Sequence, residues 1–305
     1  MFDTFKNRLE ITGVLTTITA LRISAGRSSE PIGSDLPVIK DAFGNPLIPG
    51  SSFKGAMRSR LESFLRGINP NLAANPAIEA EWSINNDRMN GENGIKKEVE
   101  KELEEYQQKE RSAKRDQLLT EKIINETDFT SLVFGSPWIA SKFQVRDLTI
   151  VPDTWFGQYQ ERDGVAIDRD TETAAEGKLY DFQVVPAGTQ FEFKAVVENA
   201  EDYELGLLMI GLHQFETEQI PLGGGRSRGL GVVKLEIEKM RWIDVNNNPE
   251  KLLTYLQELV NSNSVDNIHS YEDGKTFKQR WTQALINKLR ENISNSSTTA
   301  ATQNS

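Results

Sequence analysis

The chain has no cysteine and only two histidines, His213 and His269, in 305 residues. Without thiols there is no disulfide, no thiolate nucleophile and no sulfur-ligated zinc site. Two histidines are too few for a histidine-pair nuclease or a histidine-rich metal cage. Long apolar runs are missing as well. None reaches the roughly 18 residues of a membrane span, and the opening MFDTFKNRLE does not have the form of a signal peptide, so a cytoplasmic protein is expected. A hydrophobic content of 37% with 26% charged residues is the composition of a soluble, globular chain. At roughly 100–200 residues per domain, the length allows one elaborated domain or two small ones.

Positive charge is in deficit overall, with a net charge of −10, but the deficit is local. Residues 1–70 carry nine Lys+Arg against six Asp+Glu, and residues 219–241 carry five against two. The acidic excess falls in 76–130, with nine against fourteen, and in 161–204, with four against twelve. Binding to phosphates depends on local fields more than on the total. The two basic segments are therefore where a polyanion would sit.

Residues 9–24 are β-branched and roughly alternating, which predicts a long strand. A Gly/Ser/Pro-rich stretch from Ala25 to Pro37 follows, of the length at which irregular loops are often functional. A helix is expected from Ser51 or Ser52, either of which can cap it, with Phe53, Met57, Leu61, Phe64 and Leu65 at helical period. Lys54 and Arg58, four apart, share one of its faces. Ile95 to Glu126 reads as a mixed-charge helical stretch, part of a solvated insertion, and Leu132 to Pro137 as a turn. Lys142 to Val151 resumes strand pattern, and the polar, acidic 157–178 suggests a protruding hairpin. Tyr180, Phe182 and Val184, then Phe191 to Val197, alternate as two strands around Pro186-Ala187-Gly188. A helix is expected over Ala200 to Glu216, then a strand through Val233, Leu235 and Ile237, then amphipathic helices near 250–261 and 276–291. The core order is strand, helix, strand, strand, helix, strand. This is an α+β fold with a ferredoxin-like, RRM-like βαββαβ core. Its expected divisions are a domain over 1–245, interrupted by a helical insertion at 70–130 and a hairpin at 157–180, then C-terminal helices over 246–292 and a disordered tail at 293–305.

The sharpest local feature is Gly223-Gly224-Gly225-Arg226-Ser227-Arg228-Gly229-Leu230-Gly231. Gly224 and Gly229 have the spacing of a nucleotide phosphate loop, but Leu230-Gly231 stands where Lys and Ser/Thr are required, and the loop feeds a strand instead of a helix. Nucleotide hydrolysis is therefore disfavoured. What remains is either a tight helix-to-strand connection or a turn whose backbone N–H groups approach a phosphate, with Arg226, Ser227 and Arg228 as further donors. Five glycines with two arginines exceed what a connection needs. Lys54 and Arg58 are either a solvated helix face or, beside the free N–H groups of a helix start, part of an anion site. Asp35, in Gly33-Ser34-Asp35-Leu36-Pro37, is either a turn residue bonding its own backbone or a carboxylate for Mg²⁺ or a phosphodiester. Asp41 reads as a turn residue and His213, between Leu212 and Phe215, as a satisfied core histidine. Trp138, Trp155 and Phe156 fit either base stacking or the core.

Three stretches taken together, Arg22 to Gly26, Ile32 to Asp41 and Leu47-Ile48-Pro49-Gly50-Ser51-Ser52-Phe53-Lys54-Gly55-Ala56-Met57-Arg58, resemble the RAMP proteins of type III CRISPR systems, in particular the repeated backbone subunit of the Csm-type complex. Val133-Phe134-Gly135, then Val165 to Ala174 with Leu179 to Phe182, then Gly223 to Gly231 follow in the family's order, so the resemblance spans roughly residues 8–240. It implies subunits stacked along a guide RNA (crRNA), each with a thumb hairpin that interrupts the guide–target duplex. Ile167, Arg169 and Thr171 would lie on that thumb. It implies that Asp35 is the catalytic residue for Mg²⁺-dependent cutting of complementary target RNA, and the weak metal ligand. Arg22, Arg27, Ser51, Ser52, Lys54, Arg58 and Gly223 to Gly229 would contact RNA. The implied partners are crRNA, target RNA, copies of the chain or related subunits, and other type III subunits including a large polymerase-like one. The chain departs from the family in an insertion without the cysteines of a zinc site found in some relatives, and in a longer extension past residue 245. A purely structural subunit with an inert Asp35 is the alternative. A stand-alone guide-processing nuclease is disfavoured because no histidine lies near the loops.

Overall fold

The computed structural model describes residues 4–24, 26, 36–167, 174–246, 248–262 and 268–302, with side chains at all of these except 165–167, 174–179 and 295–302. The architecture is α+β. Its strands, in chain order, are β1 (Asn7–Thr17), β2 (Phe143–Val145), β3 (Gln160–Ile167), β4 (Ala174–Val184), β5 (Gln190–Glu198), β6 (Val233–Asp244) and β7 (Glu272–Asp273). Five of them form one sheet in the order β2-β5-β1-β6-β7, every neighbouring pair antiparallel, while β3 and β4 form a separate two-stranded sheet.

Alternation along β1 and β5 explains why one face of the large sheet is dry. Leu9, Ile11 and Leu15 of β1 and Phe191, Phe193, Ala195 and Val197 of β5 point inward. Two helices, α1 (Gly50–Ile68) and α6 (Asp202–Glu216), supply the opposing layer. Phe53 of α1 lies between Phe193 of β5, with ring centroids 4.9 Å apart, and Phe215 of α6 at 4.2 Å. Close packing of this kind contributes beyond the burial of apolar area alone. The C-terminal helix α8 (Lys278–Thr302) joins the same core through Trp281, whose ring meets Trp242 of β6 edge-on at 5.2 Å. It approaches so closely that a Cβ at Gly206 of α6 would collide with the Trp281 carbonyl. A bulge in β6 switches which side chains face the core, from Val233 and Leu235 to Met240 and Trp242. Gly13 sits opposite it, where any Cβ would strike the Glu236 carbonyl oxygen.

Several boundaries differ from the sequence expectations. The strand expected over 9–24 ends at Thr17, where the side-chain hydroxyl turns to the Pro186 and Thr189 carbonyls. Beyond it, Leu21 and Ser24 make only isolated bridges. Lys142 to Val151 is regular only over β2, with single bridges at Leu148 and Ile150. The strands flanking Pro186–Gly188 do not pair with each other: β4 pairs with β3, and β5 enters the large sheet. Leu132 to Pro137 is not all turn. Asp128 caps a helix, α5 (Phe129–Phe134), by accepting the Ser131 N–H at 3.0 Å, and Gly135 ends it at φ 89°. The tail expected to be disordered from 293 continues α8 through Thr302, because neither Gly nor Pro interrupts it.

The insertion has a small core of its own. Its helices are α2 (Asn86–Asn90), α3 (Ile95–Leu103) and α4 (Arg111–Glu126), the last two within the stretch expected to be helical. Ile84, Met89, Ile95, Val99 and Leu103 are buried, with Leu118, Leu119, Ile123 and Trp138 packed against them. Arg88 ties α3 to α4 by pairing with Glu98 at 2.6 Å and with Glu126. On the far side of the molecule, α7 (Pro249–Asn261) packs Leu252 and Tyr255 with Phe5, Ile243, Val245, Ile268 and Tyr271.

Candidate nucleic-acid interface

RRM-like sheets bind RNA across their open face, but the open face here is unsuited to phosphates along β1 and β5. Glu10, Glu192 and Glu198 lie on it, and Arg8 and Lys194 beside them are already spent: Arg8 on Glu10 and Glu198, Lys194 on Glu192. The same holds for several arginines elsewhere in the fold. Arg58 and Arg66 pair with Glu62, and Arg88 with Glu98 and Glu126.

Arg22, Arg226 and Arg228 differ from these. No carboxylate among the described residues pairs with any of the three, and they gather around the glycine-rich loop. The loop leaves α6 and enters β6 through a single 3₁₀ turn, Arg226–Arg228, flanked on both sides by left-handed glycines, Gly225 at φ 78° and Gly229 at φ 78°. Those backbone angles are costly for a side chain. Gly223 (φ 72°) and Gly231 (φ 86°) are constrained twice, because a Cβ would also collide with the Arg22 and Leu222 carbonyls. The loop is thereby pinned at its ends: Gly224 N–H donates to Arg22 O at 2.8 Å and Gly231 N–H to Ala20 O at 2.9 Å. Arg226, Ser227 and Arg228 are left exposed at the crest.

The base of the β3–β4 hairpin completes the cluster. The Arg22 guanidinium lies 4.6 Å over the Phe182 ring, and Arg228 donates to the Tyr180 hydroxyl at 2.9 Å. That hydrogen bond from Arg228, with its positive charge, pulls the Tyr180 hydroxyl below the usual tyrosine range, and Arg22 adds to the effect. Under the rings, Ala20, Leu36, Val184 and Leu230 form a small apolar floor. Leu36 is bridged to Phe182 and accepts the Gln183 N–H at 3.1 Å.

The α1 candidates occupy a different part of the fold. The helix starts at Gly50, with no side-chain cap from Ser51 or Ser52. Asp147, from the segment after β2, accepts the Gly50 N–H at 2.8 Å, so a carboxylate of the protein already occupies part of the expected anion site. Asp147 is a residue that sequence reasoning missed, because nothing local links it to position 50. Lys54 donates to Ser141 Oγ at 2.7 Å, and burial together with neighbouring Arg58 lowers its ammonium pKa. Arg58 is held within the fold, by Glu62 at 2.7 Å, the Gly135 carbonyl at 2.9 Å and Ser131 Oγ at 3.2 Å.

Arg27, Asp35, Arg169 and Thr171 lie outside the described residues, as does the Ile167 side chain at the end of β3. Among the described residues, no group of three or more His, Asp or Glu could hold a metal ion. His213 is not a core histidine. One helical step from Leu212 turns it outward, where it is 68% exposed and faces Glu216 at 3.2 Å. Trp138 donates to the Ile84 carbonyl at 2.8 Å and Trp155 packs on the core, while Phe156 is 90% exposed. No helix among the described residues is long and apolar enough to cross a membrane.

Comparison with known proteins follows the same segments. The model of the RAMP superfamily matches residues 14–234. A protein of Enterococcus italicus named CRISPR system Cms endoribonuclease Csm3 is 24% identical over 236 residues, 77% of this chain and 92% of the relative. Proteins of the same name from Mycobacterium tuberculosis and Methanocaldococcus jannaschii match shorter stretches. The first is 46% identical over 56 residues, 18% of this chain and 24% of the relative, and the second 43% identical over 60 residues, 19% and 24%.

Proposed function

Because the chain belongs to the RAMP superfamily, we propose that it is a guide-RNA-binding backbone subunit of a type III CRISPR effector complex, and that it cuts complementary target RNA. The observation that carries the RNA-binding part is the trio Arg22, Arg226 and Arg228, left without carboxylate partners around a loop of left-handed glycines, in a protein of net charge −10. Two of these guanidinium groups stand on the loop and the third, Arg22, beside it, so positive charge is concentrated at one place. Such groups suit phosphate oxygens, which they meet together with backbone N–H donors. The strand order β2-β5-β1-β6, antiparallel throughout, supports a ferredoxin-like core, and the separate β3–β4 sheet supports the thumb.

The activity in the relatives' name is endoribonuclease, and on our reading Asp35 carries it. Leu36, its neighbour in sequence, is bridged to Phe182, over whose ring the Arg22 guanidinium lies. A divalent ion bound there would offset charge developing on the scissile phosphate. Since the described residues contain no carboxylate cluster for it, such an ion would need oxygens of the RNA itself. The chain's own part is to hold the RNA backbone on Arg22, Arg226 and Arg228, with Ser51, Ser52 and Lys54 extending the path and Arg58 holding α1 in place. Partners on this reading are crRNA, target RNA, further copies of the chain and the other type III subunits.

The test is cleavage of a complementary RNA by complexes assembled with wild-type, Asp35→Ala or Arg226→Ala/Arg228→Ala subunits. Asp35→Ala should end cutting while assembly and target binding persist. The double arginine variant should weaken guide binding. Equal cutting by wild type and Asp35→Ala would make the subunit purely structural, and an unchanged guide affinity in the arginine variant would remove the loop from the RNA path.

A further inference from the structure

Arg228 reaches out from a loop with no carboxylate beside it, yet its direction is set. Its guanidinium donates to the Tyr180 hydroxyl at 2.9 Å across the gap between loop and hairpin. Tyr180 is itself seated by its partner strand. It stands opposite Gly164 in the β3–β4 register, and its ring lies so close that any Cβ at Gly164 would collide with three of its ring carbons. A glycine inside a strand is unfavourable unless something must come near. Here the near object is the tyrosine ring, which also packs beside Phe182.

We propose that Tyr180 is a positioning residue for RNA binding: seated on Gly164, it fixes the Arg228 guanidinium so that its remaining N–H groups meet an RNA phosphate. An exposed arginine loses much rotamer freedom when it binds. Holding one N–H in advance removes part of that loss, and the four other donors remain for the anion. The lowered Tyr180 hydroxyl pKa agrees with a hydroxyl oxygen that accepts from a cation. The proposal rests on the loop being an RNA-phosphate site and adds the hairpin base to it.

The test uses the full chain and a fluorescein-labelled single-stranded RNA, titrated over a range of salt concentrations. Tyr180→Phe keeps the ring on Gly164 and removes only the hydroxyl. Gly164→Ala keeps the hydroxyl and pushes the ring aside. Each should weaken binding about three- to tenfold, the worth of one hydrogen bond, without changing the salt dependence, because Arg228 still neutralises its phosphate. Arg228→Ala should lower affinity and also reduce the salt slope by about 0.7, one phosphate's share for a single strand. In an Arg228→Ala background, Tyr180→Phe should have no further effect. Wild-type affinity in Tyr180→Phe, or the same loss with Arg228 already gone, would overturn the positioning role while leaving the loop's RNA binding intact. Unchanged affinity and slope in Arg228→Ala would overturn the loop reading and the positioning role with it.

Discussion

Arg58→Ala tests the division between an arginine tied into the fold and the arginines proposed to hold RNA. In the native state the Arg58 guanidinium bonds Glu62 Oε1 at 2.7 Å, the Gly135 carbonyl at 2.9 Å and Ser131 Oγ at 3.2 Å, joining α1 to α5 and to the turn that follows it. Removing one partner of a buried ion pair costs about 3–5 kcal/mol where the other charge is left alone. Glu62 is not left alone, since Arg66 remains at 3.2 Å. A cavity of about 120 Å³ also borders Arg58, Ser131 and Gly135, so water can reach part of the exposed polar surface. The expected loss is therefore smaller, about 2–3 kcal/mol. In a chain of this size that lowers the melting temperature by about 3–5 °C. Thermal and urea unfolding of the full chain measure it, with the Arg226→Ala/Arg228→Ala variant as control. That control should melt like wild type, because neither residue is tied to a carboxylate among those described. If Arg58→Ala melts with wild type and loses RNA affinity instead, the assignment of Arg58 to the fold is wrong.

The capping Asp128 gives a pH test. Burial opposes its ionisation, but hydrogen bonds from Ser83, Thr130 and Ser131 outweigh this and hold its pKa below the ordinary 3.8. A depressed folded-state pKa contributes stability above the unfolded value and loses it as pH falls through the folded one. Asp128→Ala should therefore cost about 1–2 kcal/mol at neutral pH, and wild type and variant should converge when unfolding is followed below pH 3.8. Lys142 and Glu204 form a buried pair at 2.6 Å, so Lys142→Met should destabilise by about 3–5 kcal/mol, with Glu204→Leu added in the same chain restoring part of it; urea midpoints decide. Gly223→Ala, which forces a side chain to φ 72° against the Arg22 carbonyl, should distort the loop and weaken RNA binding as much as losing both its arginines, read by the same titration. Chelation of Mg²⁺ should stop target cutting by the assembled complex and leave guide binding unchanged, as scored on gels.

Much of this protein is legible one residue at a time. Period-two burial along β1 and β5 and period-3.6 burial along α1 are local properties, and each appears in the structure near its expected place. The glycine-rich loop was legible as a turn for the same reason, since Gly225 and Gly229 bracket two arginines within five residues, and the structure adds the left-handed angles that only glycine takes without cost. Boundaries set by distant partners were not legible. Thr17 ends β1 because of carbonyls at 186 and 189, Asp147 caps α1 from 97 residues away, and β4 leaves β5 to pair with β3. The tertiary structure also decided which cations are free. In the sequence, Arg58 and Arg228 are alike, each an arginine in a basic segment. Charge is conserved along a chain, but its neutralisation depends on which carboxylate folding brings within reach. Glu62 lies four residues from Arg58 on the same helix, whereas Arg228 stands on a crest whose described neighbours are glycines and a tyrosine from another sheet.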